Sequence, residues 1–238
     1  MSLGNLCLFT VLAGVVAFPL ANRSEIGQPE TRALNSPNIE VLSTALLPVQ
    51  TKNPEDLGRG KVLVASRGLG DPNFAETVIL LVHYDTQGVI GMMLNRRTEV
   101  PISRVLKEMK GAKDISDPVY LGGPVEIPGV FALLRTKEKV DGAEQVFGGV
   151  YWISAKAALE KAISSRPEPG GFHVYLGYAG WTPEQLRAEV RLGAWFIFQA
   201  DDQTVFNANP GSLWREMIKR TEMQMTARPP AQNAGRPG

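Results

Sequence analysis

Along the middle of the chain, apolar residues fall in short blocks whose spacing alternates between strand and helix periods. GKVLVAS (60–66) and ETVILLVHYD (76–85) are β-branched aliphatic runs separated by the turn-rich GLGDPNF, and both read as strands. DTQG (85–88) supplies turn residues ahead of VIGMMLN (89–95), which predicts a hairpin of two largely buried strands. In ISRVLKEMK (102–110), Ile102, Val105, Leu106 and Met109 recur at helical spacing. VYLGGPVEIPGVFALLRT (119–136) reads as strand, glycine-proline turn and strand. GVYWIS (149–154) reads as a further strand, with Ser154 capping a helix over AKAALEKAI (155–163).

The strand FHVYLGY (172–178) runs into GYAGWTPEQL (177–186), where the start of a helix is spelled out. Thr182 is the cap, Pro183 the first helical residue, and Gln185 completes a capping box, while Trp181 and Leu186 form a hydrophobic staple. Gly193 suits the helix C-terminus, AWFIFQAD (194–201) returns as a strand, and PGSLWREMIKR (210–220) reads as a last helix. That helix sets Leu213, Trp214, Met217 and Ile218 on one face. Strands outnumber helices, and the hairpins exclude a purely parallel sheet. The predicted class is mixed α+β, mainly antiparallel, with about four short helices packed on the sheet.

Outside this body the pattern changes. Residues 6–21, LCLFTVLAGVVAFPLA, carry no charge and give way to a polar stretch, so 1–21 reads as a signal peptide or anchor, although no lysine or arginine precedes it. Gly14 and Pro19 interrupt the run, which is shorter than the roughly 20 residues of a membrane span. Residues 22–57 read as a linker whose apolar patch VLSTALLPV (41–49) can dock on the body. Residues 58–222 form one domain without internal repeats, and 223–238 a disordered tail. A signal peptide would export or anchor the protein.

Composition removes several chemistries. Of 238 residues, 25 are lysine or arginine and 24 aspartate or glutamate, so no net positive field favours nucleic acid. The single cysteine, Cys7, lies in the apolar leader, which excludes disulfides within the chain and thiolate zinc sites. With only His83 and His173, no histidine-rich metal site is expected, nor any cofactor.

Ser66, His83 and Asp85 are the residue types of a nucleophile, a general base and its orienter, but no G-x-S-x-G elbow surrounds Ser66. Asp71 before Pro72 and Asn95 at a strand end are turn formers that could equally contact a ligand. Gly122 and Gly123 in LGGPV suit a tight turn where backbone approaches backbone, and they lack the lysine and hydroxyl of a phosphate loop. Between His173 and Arg187 there is no basic residue, and Glu184 occupies the first helical turn, so GYAGW is a poor anion site. Tyr178 and Trp181 are left over once the turn is explained. If the motif binds anything, they are the residues expected to carry it, and exchanging Gly180 for valine is expected to lower stability before activity.

Several motifs in order carry a family resemblance: VLVAS with DPNF (62–66 and 71–74), VILLVHYDTQGVIGMMLNR (78–96), LGGPV (121–125), and GYAGWTPEQL leading to Trp195. From about Gly60 to Arg220 the chain resembles the bacterial YqgE/AlgH family. Arg67 and Arg97 stand where that family usually has proline, Arg135 near where many members carry histidine, and Glu184 where glycine is frequent. The resemblance implies coiled, branching sheets and a cytoplasmic location. It implies no particular reaction, and one branch is associated with regulation of exopolysaccharide production. The expected function is therefore a non-catalytic regulatory or binding module. Its partner is a protein or small molecule, met at Asp71, His83, Asn95, Gly122, Gly123, Tyr178 and Trp181. The alternatives are a hydrolase using Ser66, His83 and an aspartate, and a DNA-binding regulator with a basic recognition helix. No membrane span beyond an N-terminal anchor is expected.

Overall fold

The structure, a computed structural model, describes residues 50–165 and 167–227. The expected signal peptide at 1–21, the linker up to residue 49 with its apolar patch, and residues 228–238 lie outside the described residues.

Among the described residues ten strands form one branched sheet: β1 Lys61–Ala65, β2 Val78–Tyr84, β3 Val89–Met93, β4 Arg97–Pro101, β5 Pro118–Leu121, β6 Val125–Arg135, β7 Glu144–Phe147, β8 Val150–Ile153, β9 Phe172–Trp181 and β10 Trp195–Gln199. Their order is β10-β1-β2-β3-β9-β6-β8-β7, with β4 and β5 branching from β9. Among the described strands every pairing is antiparallel except β5 with β9. The path curls, for the edge strand β7 returns toward β1: a side chain at Gly60 would lie 3.3 Å from the Val146 carbonyl. Among the described residues five α-helices accompany the sheet, α1 Ile102–Val105, α2 Lys156–Ser164, α3 Pro183–Arg191, α4 Asp202–Val205 and α5 Pro210–Ala227. The class is the mixed α+β arrangement anticipated. None of the described helices is long and apolar enough to cross a membrane.

The continuous apolar run in β2 has the reason expected for a strand covered on both faces, since Val78 to Val82 are all fully buried. The principal core gathers β1, β2, β3 and β10 with Leu186 and Val190 of α3 and Leu213, Trp214, Met217 and Ile218 of α5. Trp214 also ties α5 to the sheet, its Nε1–H donating to the Ala65 carbonyl at 2.8 Å. A second core packs α1 and α2 against the other face, around Ile102, Leu159, Ile163 and Val174.

Several local expectations change. The helix foreseen over 102–110 stops at Val105, and tight turns plus a 3-10 segment at Ala112–Asp114 follow. Ile102, Leu106, Met109 and Ala112 are all buried, because 3-10 turns return side chains to one face at nearly the same spacing. Ser154 does not cap α2, which begins after Ala155 with no side-chain cap. Thr182 does cap α3, accepting from the Gln185 amide at 3.1 Å. The reciprocal half of the box is replaced, since the Gln185 side chain turns forward to Glu189. Gly193, at φ 79°, closes α3: its amide donates to Val190 and that of Ala194 to Glu189, the paired bonds of a Schellman motif. At the termini of the domain, Thr51 bridges to Ile197, so the linker joins the sheet before residue 57. Helix α5 continues beyond the boundary expected at 222, to Ala227.

The branch lies in β9. Its Phe172–Tyr178 stretch pairs with β6, while its other edge pairs with β5 at Tyr175–Leu176 and then with β3 at Ala179–Trp181. Gly177, at φ 68°, makes the change of direction. Gly122 joins the two branches, donating its amide to Leu176 at 2.8 Å while its carbonyl accepts from Met93 at 3.0 Å. A side chain on Gly122 would collide with the Gly177 carbonyl, and one on Gly123 with the Tyr178 backbone. LGGPV and GYAGW are thus two halves of one backbone junction.

Candidate functional site

A β-bulge sets up the site. Leu81 pairs with Gly91 and His83 with Ile90, leaving Val82 as an extra residue on β2. The bulge moves His83 onto the face shared by Ile90 and, across β9, by Gly180. Two residues back on β9 and on the same face stands Tyr178, paired with Val125 of β6. The row His83–Ile90–Gly180 is hollow at one end because Gly180 has no side chain. The Tyr178–Val125 pair, the turn residues Gln87 and Gly88, and Thr182 and Gln185 at the start of α3 line an open groove of about 530 Å³ there.

His83 sits at one end of this groove between two carboxylates. Its Nε2–H donates to Asp85 Oδ2 at 2.9 Å and its Nδ1–H to Glu144 Oε2 at 3.3 Å, a pattern that only the doubly protonated imidazolium completes. Burial opposes the charge, but the hydrogen bonds and the fields of Glu144 and Asp85 outweigh it and raise the His83 pKa above its ordinary value. Asp85 also accepts from the Gln87 and Gly88 amides at 2.7 and 3.0 Å, which shapes the β2–β3 turn and lowers its pKa. Because the folded pKa of His83 is raised, the pairing stabilises the fold fully below the unfolded histidine value near 6.5 and is lost as pH rises through the folded value. Thermal stability is therefore expected to fall as pH rises above the unfolded histidine value and through the raised folded one, and His83→Gln should remove that part of the slope. An unchanged slope in the variant would show that His83 does not titrate in this way.

Trp181 is positioned from behind. It packs with Phe74 and Trp195 at ring-centroid distances of 5.5 and 6.1 Å, and Glu189 Oε2 accepts from both indoles, at 3.1 Å from Trp181 and 2.8 Å from Trp195. Trp181 is thus mostly a wall of the core, and Tyr178, half-buried, is the aromatic that faces the groove.

The other sequence candidates lie elsewhere. The Ala65 amide, beside Ser66, donates to Thr77, and from Thr77 to His83 the strand rises about 20 Å at roughly 3.3 Å per residue, so Ser66 and His83 occupy opposite ends of β2. At the Ser66 end, Asp71 accepts from the Asn73 amide at 2.8 Å. Asn95 locks the start of β2 to the end of β3, accepting from Val78 at 2.9 Å and donating to the Glu76 carbonyl at 2.8 Å. Gly122 and Gly123 belong to the backbone junction and do not line the groove. Val125 and Gly180 come from the GGPV and GYAGW turns expected to line a groove, whereas Glu144 and Ile90 were not foreseen as site residues. The second histidine, His173, is stacked on Tyr120 at 4.7 Å. Burial, reinforced by the fields of Arg97 and Arg135, lowers its pKa to about 4. No group of histidine, cysteine, aspartate and glutamate able to hold a metal ion occurs among the described residues.

The motifs that build the junction and the groove also place the chain among known proteins. Residues 62–226 match the family model described as AlgH-like, DUF179, and the chain belongs to that family. A UPF0301 protein of Chlorobaculum tepidum is 34% identical over 170 residues, covering 71% of this chain and 89% of the relative. A UPF0301 protein of Streptomyces avermitilis is likewise 34% identical, over 176 residues, covering 71% and 90%. The solution structure of AlgH from Pseudomonas aeruginosa superposes with a TM-score of 0.55 at 26% identity, over 75% of this chain and 94% of that one. A crystal structure from Corynebacterium diphtheriae, at 24% identity, shares the fold with a TM-score of 0.58, over 69% and 87%.

Proposed function

We propose that this AlgH-like chain is a non-catalytic regulatory module that works by binding, and that the groove over His83, Ile90, Gly180 and Tyr178 receives an apolar or aromatic group of its ligand. The observation that carries this reading is the hollow beside Tyr178, on the strand face that the Val82 bulge also gives to His83. A volume of about 530 Å³ falls within the range of small-molecule sites, roughly 300–1,000 Å³. The separation of Ser66 from His83 favours this reading over hydrolysis, and both nitrogens of His83 are already engaged by carboxylates.

The groove can be closed from within. A Cβ at Gly180 would stand 3.0 Å from the Tyr178 ring and 3.9 Å from the Val125 side chain, with no backbone in its way. Valine there should therefore fill the hollow with less damage to the fold than the sequence alone suggests. In a fragment screen followed by amide NMR, compounds are expected to shift Val125, Tyr178 and Gly180. Gly180→Val should weaken them at least about tenfold, or 1.4 kcal/mol. Hits confined to other surfaces, or unaffected by Gly180→Val, would reject the groove.

A further inference from the structure

Among the described residues the lining of the groove carries no lysine, arginine, aspartate or glutamate, and the charges nearest to it in the chain are carboxylates next to lining residues. Asp85 and Glu144 meet at His83, and Glu126 follows the lining residue Val125, exposed and at φ 47°. Glu184 lies between Thr182 and Gln185 on the α3 side. The cations facing them are few. Arg187 of α3 pairs with Glu184 at 3.8 Å and lies over the Tyr84 ring at 5.9 Å, and among the described residues the His83 imidazole is the ion-pair partner of both Asp85 and Glu144. An aromatic lining residue beside an acidic end favours an organic cation: Tyr178 lines the groove and the carboxylates that hold His83 offer counter-charge.

We propose that the occupant of the groove is a small organic amine with an apolar or aromatic body, its ammonium replacing the His83 proton as the counter-charge of Asp85 and Glu144. The proposal rests on the binding reading above and adds to it the charge of the ligand. No bond is made or broken. One cation enters, and where His83 was protonated one proton leaves to solvent. The carboxylates facing the imidazole come from the β2–β3 turn and from β7, and on α3 Arg187 lies over the ring of Tyr84, the residue after His83. Binding and protonation therefore compete, and affinity for the amine rises with pH until His83 is neutral, by at most tenfold per pH unit.

Tryptamine, indole and indole-3-acetate share one aromatic body and differ in charge, so they separate the two ideas. The full-length chain is titrated with each at pH 5.5, 7 and 8.5, following the His83 imidazole and the Gly180 amide by NMR. Tryptamine is expected to bind most tightly and indole-3-acetate most weakly, with the His83 pKa lowered in the tryptamine complex. Asp85→Asn combined with Glu144→Gln should cost tryptamine about tenfold more than it costs indole; asparagine retains an acceptor for the turn amides, and folding is checked by amide dispersion. Equal binding of all three, or tryptamine binding independent of pH, would overturn the charge assignment while leaving the groove as a binding site. Failure of all three to bind would remove both.

Discussion

Gly177→Ala is expected to cost about 3 kcal/mol or more, enough to leave a marginally stable domain largely unfolded. Two costs combine. At φ 68° any L side chain is strained, by about 1–3 kcal/mol for a non-glycine residue. A Cβ there would also lie 2.6 Å from the Val125 carbonyl oxygen and 2.7 Å from that of Gly123, and neither is the movable end of a side chain. Relief would require β6 or the Gly122–Gly123 turn to move away from β9, breaking the junction that lets one strand serve three neighbours. Gly148→Ala is the control: its φ is 45°, but nothing lies within 4 Å of the new methyl group, so only the conformational cost of about 1 kcal/mol should remain. Urea denaturation of both variants measures the difference. If Gly177→Ala lost no more stability than Gly148→Ala, the close approach of backbones would not hold the sheet together.

The parts of this architecture that were legible beforehand are those written in local chemistry. Thr182, Pro183 and Gly193 specify the two ends of α3 by capping, and the VILLV run specifies a strand buried on both faces, so neither needs a distant partner to be recognised. What escaped depends on long-range pairing. β4 and β7 are short and mixed in polarity, and they become strands only because β5 and β8 lie beside them. α4 is a single turn, held by Asp201 accepting from the Thr204 amide at 2.7 Å. The groove was half visible for the same reason. Tyr178 and Trp181 stood out once the turn chemistry of GYAGW was accounted for, and His83 stood out as one of only two histidines. Nothing local to His83 announces the Val82 bulge that turns it toward Gly180, and Glu144 reaches it only because the sheet curls β7 back toward β1 and β2. Conversely Ser66, Asp71 and Asn95 attracted attention by residue type, and the register of β1, β2 and β3 collects them at the opposite end.

Glu189→Ala is expected to destabilise the domain by about 2–4 kcal/mol, a large effect for a partly exposed residue on a surface helix. Among the described residues its carboxylate is the hydrogen-bond acceptor of two indole N–H groups, and Trp195 is fully buried with Trp181 nearly so. Alanine would leave both donors without an acceptor, at about 1–3 kcal/mol each, whereas loss of the third bond, from exposed Gln185 to Oε1 at 3.0 Å, should be made good by water. Glu189→Gln keeps an acceptor oxygen between the rings and should cost only about 1 kcal/mol, the difference between a charged and a neutral hydrogen bond. The pair of variants distinguishes hydrogen bonding from packing, since both shorten or alter the side chain but only alanine removes the acceptor. The same variants test the groove, because Trp181 follows Gly180 directly in β9. With its indole released, the floor beside Tyr178 should loosen, the near-ultraviolet dichroism of the tryptophans should weaken, and ligand affinity should fall in Glu189→Ala while Glu189→Gln retains it. Equal losses of stability in the two variants would mean that the carboxylate acts through its charge on α3 and not by holding the two rings.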